Sequence, residues 1–316
     1  VATTSAIGSF MLPEMKKAGY EPNFSAAVTA AASTTGMLIP PSNILIVYAI
    51  ASGGVSIAAL FMAGYIPGIM VGLALMLVCF IYAKMKGYPL SPRLPIKVVV
   101  EKTIAALPSL FLIFLVIGGI VGGVFTATEA GAIAVVYSLL LAVVFYKEVD
   151  AKALPDIFLK AAETTAIVML LIAASTAMSW LLSFENIPQT LSNALLSISD
   201  NPLLILLLIN LLLIVVGAFL DMTPAVLIFT PIFLPVALEL GMSELQFGIM
   251  LVLNLSIGLC SPPVGAVLFI TCAIAKTKLE NIIRPLIPLY VAMFVVLMLV
   301  TYVAWFSEAL PRALGF

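Results

Sequence analysis

Two segments of this sequence repeat each other at one fixed offset, and each contains a pair of prolines within an apolar run. Residues 36–42 read Gly-Met-Leu-Ile-Pro-Pro-Ser, and residues 258–264, which lie 222 positions later, read Gly-Leu-Cys-Ser-Pro-Pro-Val. The same offset pairs Pro13 with Pro235 and Gly19 with Gly241. Because proline lacks an amide hydrogen and clashes with the preceding turn, consecutive prolines break a helix. The pattern indicates an internal duplication with one broken helix in each copy.

The composition places this duplication in a membrane. Hydrophobic residues make up 63% of the 316 residues and charged residues only 9%, whereas a soluble domain carries about 25% charged residues. In a bilayer, a broken helix is tolerated only where its freed backbone lines a buried cavity. Paired broken helices in the two halves of a membrane protein therefore point to the binding site of a transporter.

Apolar segments of about 20 residues, the length that crosses a membrane, divide most of the chain. An additional apolar run is too long for one crossing and is interrupted at Asp221 and Pro224, which predicts a re-entrant hairpin over 203–235. The repeat alignment predicts two domains, 1–94 and 95–316, with only the C-terminal part of the first repeat present, so we expect the sequence to be a fragment of a longer protein. The predicted crossings are 23–52 (broken), 64–83, 104–125, 128–146, 157–180, 247–275 (broken) and 286–306.

The basic residues indicate which ends of these segments share a side. If the loop 13–22 lies on one side, the loops 84–103, 147–156 and 276–285 lie on the same side. That side then carries 13 of the 14 Lys and Arg residues, 12 of them in these loops and Lys160 near the start of the crossing 157–180, and Arg312 is the exception. The positive-inside rule makes this side cytoplasmic. An odd number of crossings separates the loops that follow the two hairpins, so the repeats are predicted to be inverted.

Composition also excludes several classes of chemistry. The chain has no histidine and no Gly-rich loop that ends in Gly-Lys-Ser or Gly-Lys-Thr, which argues against zinc peptidase, haem and ATPase functions. Cys79, Cys260 and Cys272 lie in apolar runs and are interpreted as core residues rather than disulfide or metal ligands. We expect no enzymatic activity, no organic cofactor, no metal beyond an alkali cation and no nucleic-acid partner.

Polar residues around the two Pro-Pro pairs are the candidates for ion binding. Carbonyls freed by proline, together with hydroxyls such as those of Thr34, Ser42 and Ser261, are hard oxygen ligands that suit an alkali cation, and half-helix N-termini attract anions. The alternative is a proline kink in which Ser and Thr bond local carbonyls. The duplication favours the cation site. Asp221 suits equally a helix cap and a ligand, since carboxylates at membrane depth are functional candidates.

Two other polar groups are interpreted structurally. Thr126 followed by Glu129 is typical of a capped helix start. Asn210 and Asn254 lie within apolar runs, where hydrogen bonding between helices is the expected role of an amide side chain.

Several motifs resemble the large membrane subunit of tripartite ATP-independent periplasmic (TRAP) transporters. They are Val-Ala-Thr-Thr-Ser-Ala-Ile-Gly-Ser (1–9), Pro-Glu-Met-Lys-Lys-Ala-Gly-Tyr (13–20), Phe-Thr-Ala-Thr-Glu-Ala (125–130), Asp-Met-Thr-Pro-Ala (221–225) and the two Pro-Pro motifs. The resemblance implies an all-α, inverted-repeat, elevator-type permease with re-entrant hairpins and two Pro-Pro-broken helices. It would lie in the bacterial inner membrane and import an organic acid, such as a C4-dicarboxylate or sialic acid, with sodium. It also implies two partners, a small membrane subunit and a periplasmic substrate-binding protein that delivers the solute.

The resemblance further implies which residues form the sites and which parts move. Sodium would bind where each hairpin tip meets its broken helix, at Ser33, Thr34, Gly36, Pro40, Ser42, Asp221, Thr223, Gly258, Ser261 and Pro262. Substrate would bind between the tips, at Thr3, Thr4, Ser42, Asn43, Thr223 and Gly265. Residues 1–52 and 203–275 would move against a scaffold of 64–83, 104–180 and 286–306. A proton-coupled or uncoupled carrier or channel on the same fold, with Asp221 or Glu129 as relay, is the alternative, and a membrane-embedded enzyme is the least favoured reading.

Overall fold

The structure, a computed structural model, describes residues 2–88, 95–187, 190, 193–194, 201–262 and 265–316, and every regular element in these ranges is helical. A π-helical turn (Leu140–Phe145) follows α7, and a 3-10 turn (Ala151–Ala153) precedes α8. The helices are α1 (Ala2–Lys17), α2 (Pro22–Ala32), α3 (Thr35–Leu38), α4 (Asn43–Ala51), α5 (Ile57–Lys86), α6 (Ile96–Val121), α7 (Ala127–Leu139), α8 (Leu154–Phe184), α9 (Pro202–Phe219), α10 (Met222–Glu239), α11 (Glu244–Gly258), α12 (Ala266–Ala275), α13 (Leu279–Tyr302) and α14 (Trp305–Ala313).

The helices confirm an all-α integral membrane protein. Seven of those in the described ranges are long and apolar enough to cross a bilayer, and an eighth crossing is formed if the bent pair that begins at Pro22 and ends at Ala51 counts as one span. The bend in that pair is 52° and lies at the first Pro-Pro, as predicted. The long run 203–235 is also interrupted where predicted, since α9 ends at Phe219 and α10 begins at Met222.

Helix boundaries follow the 222-residue offset found in the sequence. The ends of α1 and α10 (Lys17 and Glu239), the starts of α2 and α11 (Pro22 and Glu244) and the starts of α5 and α13 (Ile57 and Leu279) all differ by this number. The paired glycines Gly19 and Gly241 both adopt left-handed backbone angles, with φ of 86° and 85°. Glycine reaches this region without steric cost, which explains why the same turn keeps glycine in both copies.

The predicted loop and span boundaries are wrong by several residues. The loop 13–22 shrinks to 18–21, because α1 continues through Pro13 to Lys17, and the loop 276–285 shrinks to 276–278. Within the predicted loop 84–103, residues 84–86 still belong to α5 and residues 96–103 already belong to α6. Charged residues end an apolar run but do not end a helix, so hydropathy marks the membrane boundary and not the helix terminus. The span 286–306 is also displaced by several residues, since α13 begins at Leu279 and ends at Tyr302.

Two compact units form, residues 1–89 with 172–316 (the first unit) and residues 90–171 (the second unit). In the second unit, α6 and α7 pack together, with the Tyr137 hydroxyl donating to the Pro108 carbonyl at 2.8 Å. The Phe125 ring lies directly on Gly119, where a side chain would overlap it. The capping box predicted at the start of α7 is confirmed, because Thr126 and Glu129 exchange side-chain to backbone hydrogen bonds.

The centre of the first unit is α11. Every side chain from Gln246 to Gly258 is buried, and the helix packs against α5, α9, α10 and α13. Burying an apolar side chain contributes about 1.5–3 kcal/mol, so this helix is fixed on all sides by its neighbours. The second Pro-Pro, which follows the end of α11, therefore begins from a rigid element.

Candidate functional site

Four residues, Ile39–Ser42, separate α3 from α4 and form what we call the first break. Pro40 and Ser42 are buried, and the peptide bond between Pro40 and Pro41 is cis. The Ser42 hydroxyl donates to the Met37 carbonyl at 2.6 Å and so bridges the two helical pieces. The break thus holds a buried hydroxyl next to backbone carbonyls, the arrangement expected for a cation site.

Hydroxyls that precede the first break all donate to carbonyls three residues back. The Ser33 hydroxyl donates to Ala30, and the Thr34 hydroxyl to Ala31, both at 2.7 Å. These are the local bonds of the alternative, proline-kink interpretation. They do not oppose cation binding, because a hydroxyl whose proton points into the helix presents its oxygen lone pairs outward.

The helix α5 approaches the first break unusually closely. A side chain at Gly64 would place its Cβ 2.3 Å from the Leu38 carbonyl oxygen, and one at Gly68 would place it 2.5 Å from the Ile39 side chain. Two glycines four residues apart let helices approach in this way in membranes. This small-residue spacing is visible in the sequence, but the contact of Gly64 and Gly68 with the first break was not predicted from it.

Residues 259–265, between α11 and α12, form the second break, of which 263–264 lie outside the described residues. Ser261 is buried; its hydroxyl donates to the Ile257 carbonyl at 3.0 Å and lies 2.8 Å from the Tyr290 hydroxyl of α13. Because Ser261 has one proton to give, Tyr290 is the donor in that second bond. A Cβ at Gly265 would lie 2.8 Å from the Ser261 carbonyl oxygen and 3.0 Å from that of Leu259, so two carbonyls converge there.

Both breaks touch the helix that follows them through equivalent positions. Ile39 packs on Gly68 in the first break, and Ser261 bonds Tyr290 in the second. Each member of one pair lies 222 positions from its counterpart in the other. The contact is thus present in both halves. In the first half the larger residue belongs to the break, and in the second half it belongs to the helix. Tyr290 was not predicted from the sequence, since no local pattern marks it.

The predicted hairpin tip at 220–221 lies beside the second break. Gly217 of α9 and Gly258 of α11 touch through their backbones, and a Cβ at Gly258 would lie 3.1 Å from the amide nitrogen of Ala218. Asp221 follows three residues after Ala218, at the end of α9 that contacts α11 beside the second break. Asp221 occupies the N-cap position of α10, but its exposed carboxylate makes no capping hydrogen bond.

The remaining predicted substrate residues lie on different elements of the fold. Thr4 is buried with no hydrogen-bond partner for its hydroxyl among the described residues. Asn43 and Gly265 stand at the N-terminal ends of α4 and α12. No described hydrogen bond joins these residues to one another or to half-buried Thr223, and the Thr3 side chain lies outside the described residues, so the set remains a prediction.

Amide side chains connect α11 to α9 and α13. Asn254 of α11 donates to the side-chain and backbone oxygens of Asn210 on α9 at 2.8 and 2.9 Å, and Asn210 donates to the Thr301 hydroxyl at 3.3 Å. Gln246 donates to the Val300 and Thr301 carbonyls at 3.0 and 2.9 Å. The predicted role of both asparagines in joining helices is confirmed.

One cysteine joins the two broken helices. The thiol of Cys260, in the second break, donates to the Ala30 carbonyl of α2 at 3.3 Å, and Cys260 is fully buried. All three cysteines are free thiols. Within the described residues, no group of three or more Cys, Asp or Glu side chains is arranged to hold a metal ion.

At the opposite end of α5, an ion pair with aromatic neighbours joins the turn 18–21 to the helix. Lys86 donates to Glu21 at 2.8 Å, and the Tyr82 hydroxyl donates to the other carboxylate oxygen at 3.1 Å. The hydrogen bond from Lys86, followed in size by desolvation that opposes it, holds the pKa of Glu21 below its ordinary value. The Phe24 and Tyr82 rings stack at 3.9 Å beside this pair.

Comparison with known proteins gives one family. The model of the "Tripartite ATP-independent periplasmic transporter, DctM component" matches residues 1–306. The chain is similar to the uncharacterized protein YgiK of Salmonella typhimurium, with 49% identity over 98% of this chain and 71% of that protein. It is 38% identical to the C4-dicarboxylate TRAP transporter large permease protein DctM of Pseudomonas aeruginosa, over 99% of this chain and 73% of the relative. It is 36% identical to the sialic acid TRAP transporter large permease protein SiaM of Vibrio cholerae, again over 99% and 73%.

Proposed function

Because this chain belongs to the DctM family of large membrane subunits of tripartite ATP-independent periplasmic transporters, we propose that it is the permease of a sodium-coupled secondary transporter. It imports an organic acid across the bacterial inner membrane. The observation that carries sodium coupling is that two helix breaks, at equivalent positions of a duplicated fold, each hold a buried serine hydroxyl next to backbone carbonyls. Transporters place coupling ions at such unwound segments.

Each break supplies several oxygen ligands. At the first, the Ser42 hydroxyl in the break and the Ser33 and Thr34 hydroxyls that precede it have already donated their protons to carbonyls. In the second, the Ser261 hydroxyl is oriented by Tyr290 and the carbonyls of Leu259 and Ser261 face Gly265. Hydroxyl and carbonyl oxygens are hard ligands, and no net charge is required to hold a single monovalent ion. Asp221, at the N-cap of α10, is the carboxylate that we assign to the second site.

The substrate is an organic anion that binds at helix N-termini. Asn43 begins α4 and Gly265 precedes α12, so each break presents the amide groups of a following half-helix. These N–H groups and the helix dipole attract a carboxylate. The relatives act on C4-dicarboxylates and on sialic acid, which share a carboxylate, and this common group is the part of the substrate that we assign to the half-helix ends.

We infer that transport moves the broken helices as one body and that this body is larger than the sequence division suggests. Helix α13 is bonded to α9 through Thr301 and to α11 through Gln246, and α5 is held to the first break through Gly64. These contacts would have to break if 64–83 and 286–306 stayed behind as scaffold. We therefore place α5 and α13 in the moving part.

The proposal includes two partners, a small membrane subunit and a periplasmic binding protein that delivers the solute. Membership of this family supports both partners. Helices α6 and α7 leave most of their apolar side chains exposed within the second unit, so they offer surface for lipid or for a membrane subunit. The basic loops are assigned to the cytoplasm by the positive-inside rule.

Thermal stability in sodium tests the ion-coupling proposal without knowledge of the substrate. The purified protein, with any subunit that co-purifies, is melted in detergent with increasing sodium chloride against choline chloride at equal ionic strength. An ion that binds only the folded state stabilises it by RT ln(1 + [L]/Kd), so we expect a saturable, sodium-selective rise in Tm. Equal melting curves in the two salts would reject sodium binding and favour a proton-coupled or uncoupled carrier.

A further inference from the structure

A cavity of about 250 Å³ lies where three helices of the first unit meet, away from both breaks. It is bounded by the C-terminal end of α1, the N-terminal end of α2 and the C-terminal end of α12. Its walls combine apolar and basic side chains: Leu12, Pro13, Lys16, Pro22, Ser25, Ile274, Ala275 and Lys276. None of these residues has a role in the proposed ion or substrate sites.

The two lysines come from distant parts of the chain and have no acidic partner. Lys16 and Lys276 are both exposed, and neither forms an ion pair within the described residues. The nearby Glu14 is already paired with Lys17 at 2.7 Å. Two uncompensated ammonium groups at one small cavity repel each other, so an anion bound between them would be favoured by both.

Hydrogen bonds fix the turn that carries Lys276 at one side of the cavity. The Lys276 backbone is left-handed (φ 53°) and its amide closes α12 on the Cys272 carbonyl. The Thr277 hydroxyl, the next residue, donates to the Asn23 side chain at 2.5 Å and joins this turn to the start of α2. The start of α2 also contributes the positive end of an 11-residue helix.

We propose that this cavity binds the phosphate head group of an anionic phospholipid from the adjacent leaflet. The ligand chemistry is a phosphate bound between Lys16 and Lys276, with the lipid glycerol and upper acyl chains against Leu12, Pro13 and Ile274. The apolar wall favours a lipid over free phosphate, because a free anion gains nothing from it. Basic pockets between membrane helices near the surface are sites of this kind.

The test compares lipid-dependent stability of the wild type, the double variant Lys16→Gln/Lys276→Gln and the control Lys97→Gln/Lys102→Gln. The control removes two exposed lysines of α6 that do not line the cavity. Each protein is melted in nanodiscs of phosphatidylcholine and in nanodiscs of equal parts phosphatidylcholine and phosphatidylglycerol. We expect phosphatidylglycerol to raise the Tm of the wild type and the control by about 2–4 °C, and to leave the double variant unchanged.

A second arm separates lipid from soluble anion. Delipidated protein in detergent is titrated with inorganic phosphate, and we expect no saturable rise in Tm. A rise that the double variant lacks would assign the cavity to a soluble phosphate and overturn the lipid proposal. An equal response of all three proteins to phosphatidylglycerol, or an equal loss in the control, would also overturn it, since the effect would then be one of general surface charge.

Discussion

Gly217 of α9 and Gly258 of α11 meet backbone to backbone, and a Cβ built on Gly258 would lie 2.6 Å from the Gly217 Cα atom. This approach brings the end of the predicted hairpin limb against the start of the second break. Because the atoms in contact are backbone atoms, neither helix can yield by a side-chain rotation.

We expect Gly258→Ala to destabilise the protein by about 1–3 kcal/mol, the usual cost of forcing extra volume into a packed site. Gly217→Ala should cost less, because its Cβ would have its nearest backbone atoms at 3.2 Å. The measurement is Tm in detergent. The control is Gly72→Ala, where a Cβ meets no atom within 4 Å. Equal Tm values for the Gly72 and Gly258 variants would contradict the close crossing.

The amide pair between α9 and α11 gives a second prediction. Asn254→Leu leaves the buried side-chain oxygen of Asn210 without the amide that donates to it and should cost about 1–3 kcal/mol. The double variant Asn210→Leu/Asn254→Leu should lose less than the sum of the single variants, because no polar group is then left unpaired. Asn281→Leu, an exposed position on α13, is the control. Additive losses in a double-mutant cycle would show that the two amides do not interact.

The breaks themselves can be closed by mutation. Replacing Pro40 and Pro41 with alanine restores two amide donors and lets the helix continue, which withdraws carbonyls from the proposed cation site. We expect normal expression with a smaller sodium-dependent Tm rise, because only the second site remains. Pro108→Ala, which replaces a proline inside α6 that belongs to neither break, should keep the rise. A Pro40→Ala/Pro41→Ala protein that responds to sodium as the wild type does would show that the first break is not a source of ligands.

Variants of Ser261 and Tyr290 distinguish a ligand of the second site from the residue that orients it. Ser261→Ala removes an oxygen and should abolish sodium stabilisation at that site. Tyr290→Phe keeps the oxygen but frees its orientation, so we expect the sodium concentration at half-maximal shift to rise several-fold while the maximal shift is retained. Sodium titrations followed by Tm distinguish the two. Identical titrations of Tyr290→Phe and wild type would contradict an orienting role.

The ion pair between Glu21 and Lys86 predicts a pH-dependent contribution to stability. The pKa of Glu21 is lowered in the fold, so its stabilisation is present above the ordinary carboxyl pKa and is lost as the pH falls through the lowered value. At pH 7 we expect Glu21→Gln to lower Tm by about 1–2 °C, because exposed pairs contribute little. The Tm values of the variant and the wild type should converge in acid. Glu101→Gln, outside any described ion pair, should show no such convergence, and a constant difference down to acid pH would contradict the assignment.

Features set by the local chain were predictable from the sequence. The first break, the interruption near Asp221 and the paired turns at Gly19 and Gly241 each depend on the backbone preferences of proline or glycine. The capping box at Thr126 depends on residues three positions apart. In each case the physical cause lies within one turn of the residue that reveals it.

Features that depend on a partner distant in sequence were not predictable. Nothing near Tyr290 indicates that its hydroxyl meets Ser261, and the role of Gly64 becomes clear only when Leu38 is placed against it. Helix ends were also misplaced, since Lys17 ends α1 five residues later than the apolar run does. Hydropathy records contact with lipid, whereas a helix ends where its hydrogen bonds end.

The reversed contact between each break and its following helix limits how the two halves can be interchanged. The Ile39–Gly68 contact and the Ser261–Tyr290 contact lie at equivalent positions of the two repeats. The larger side chain belongs to the break in the first contact and to the helix in the second. Transferring a single residue from one half to the other would therefore produce either a collision or a void, whereas transferring both members together preserves the fit. A change of one residue at a time would then pass through a less stable protein. Each half therefore keeps its own pair.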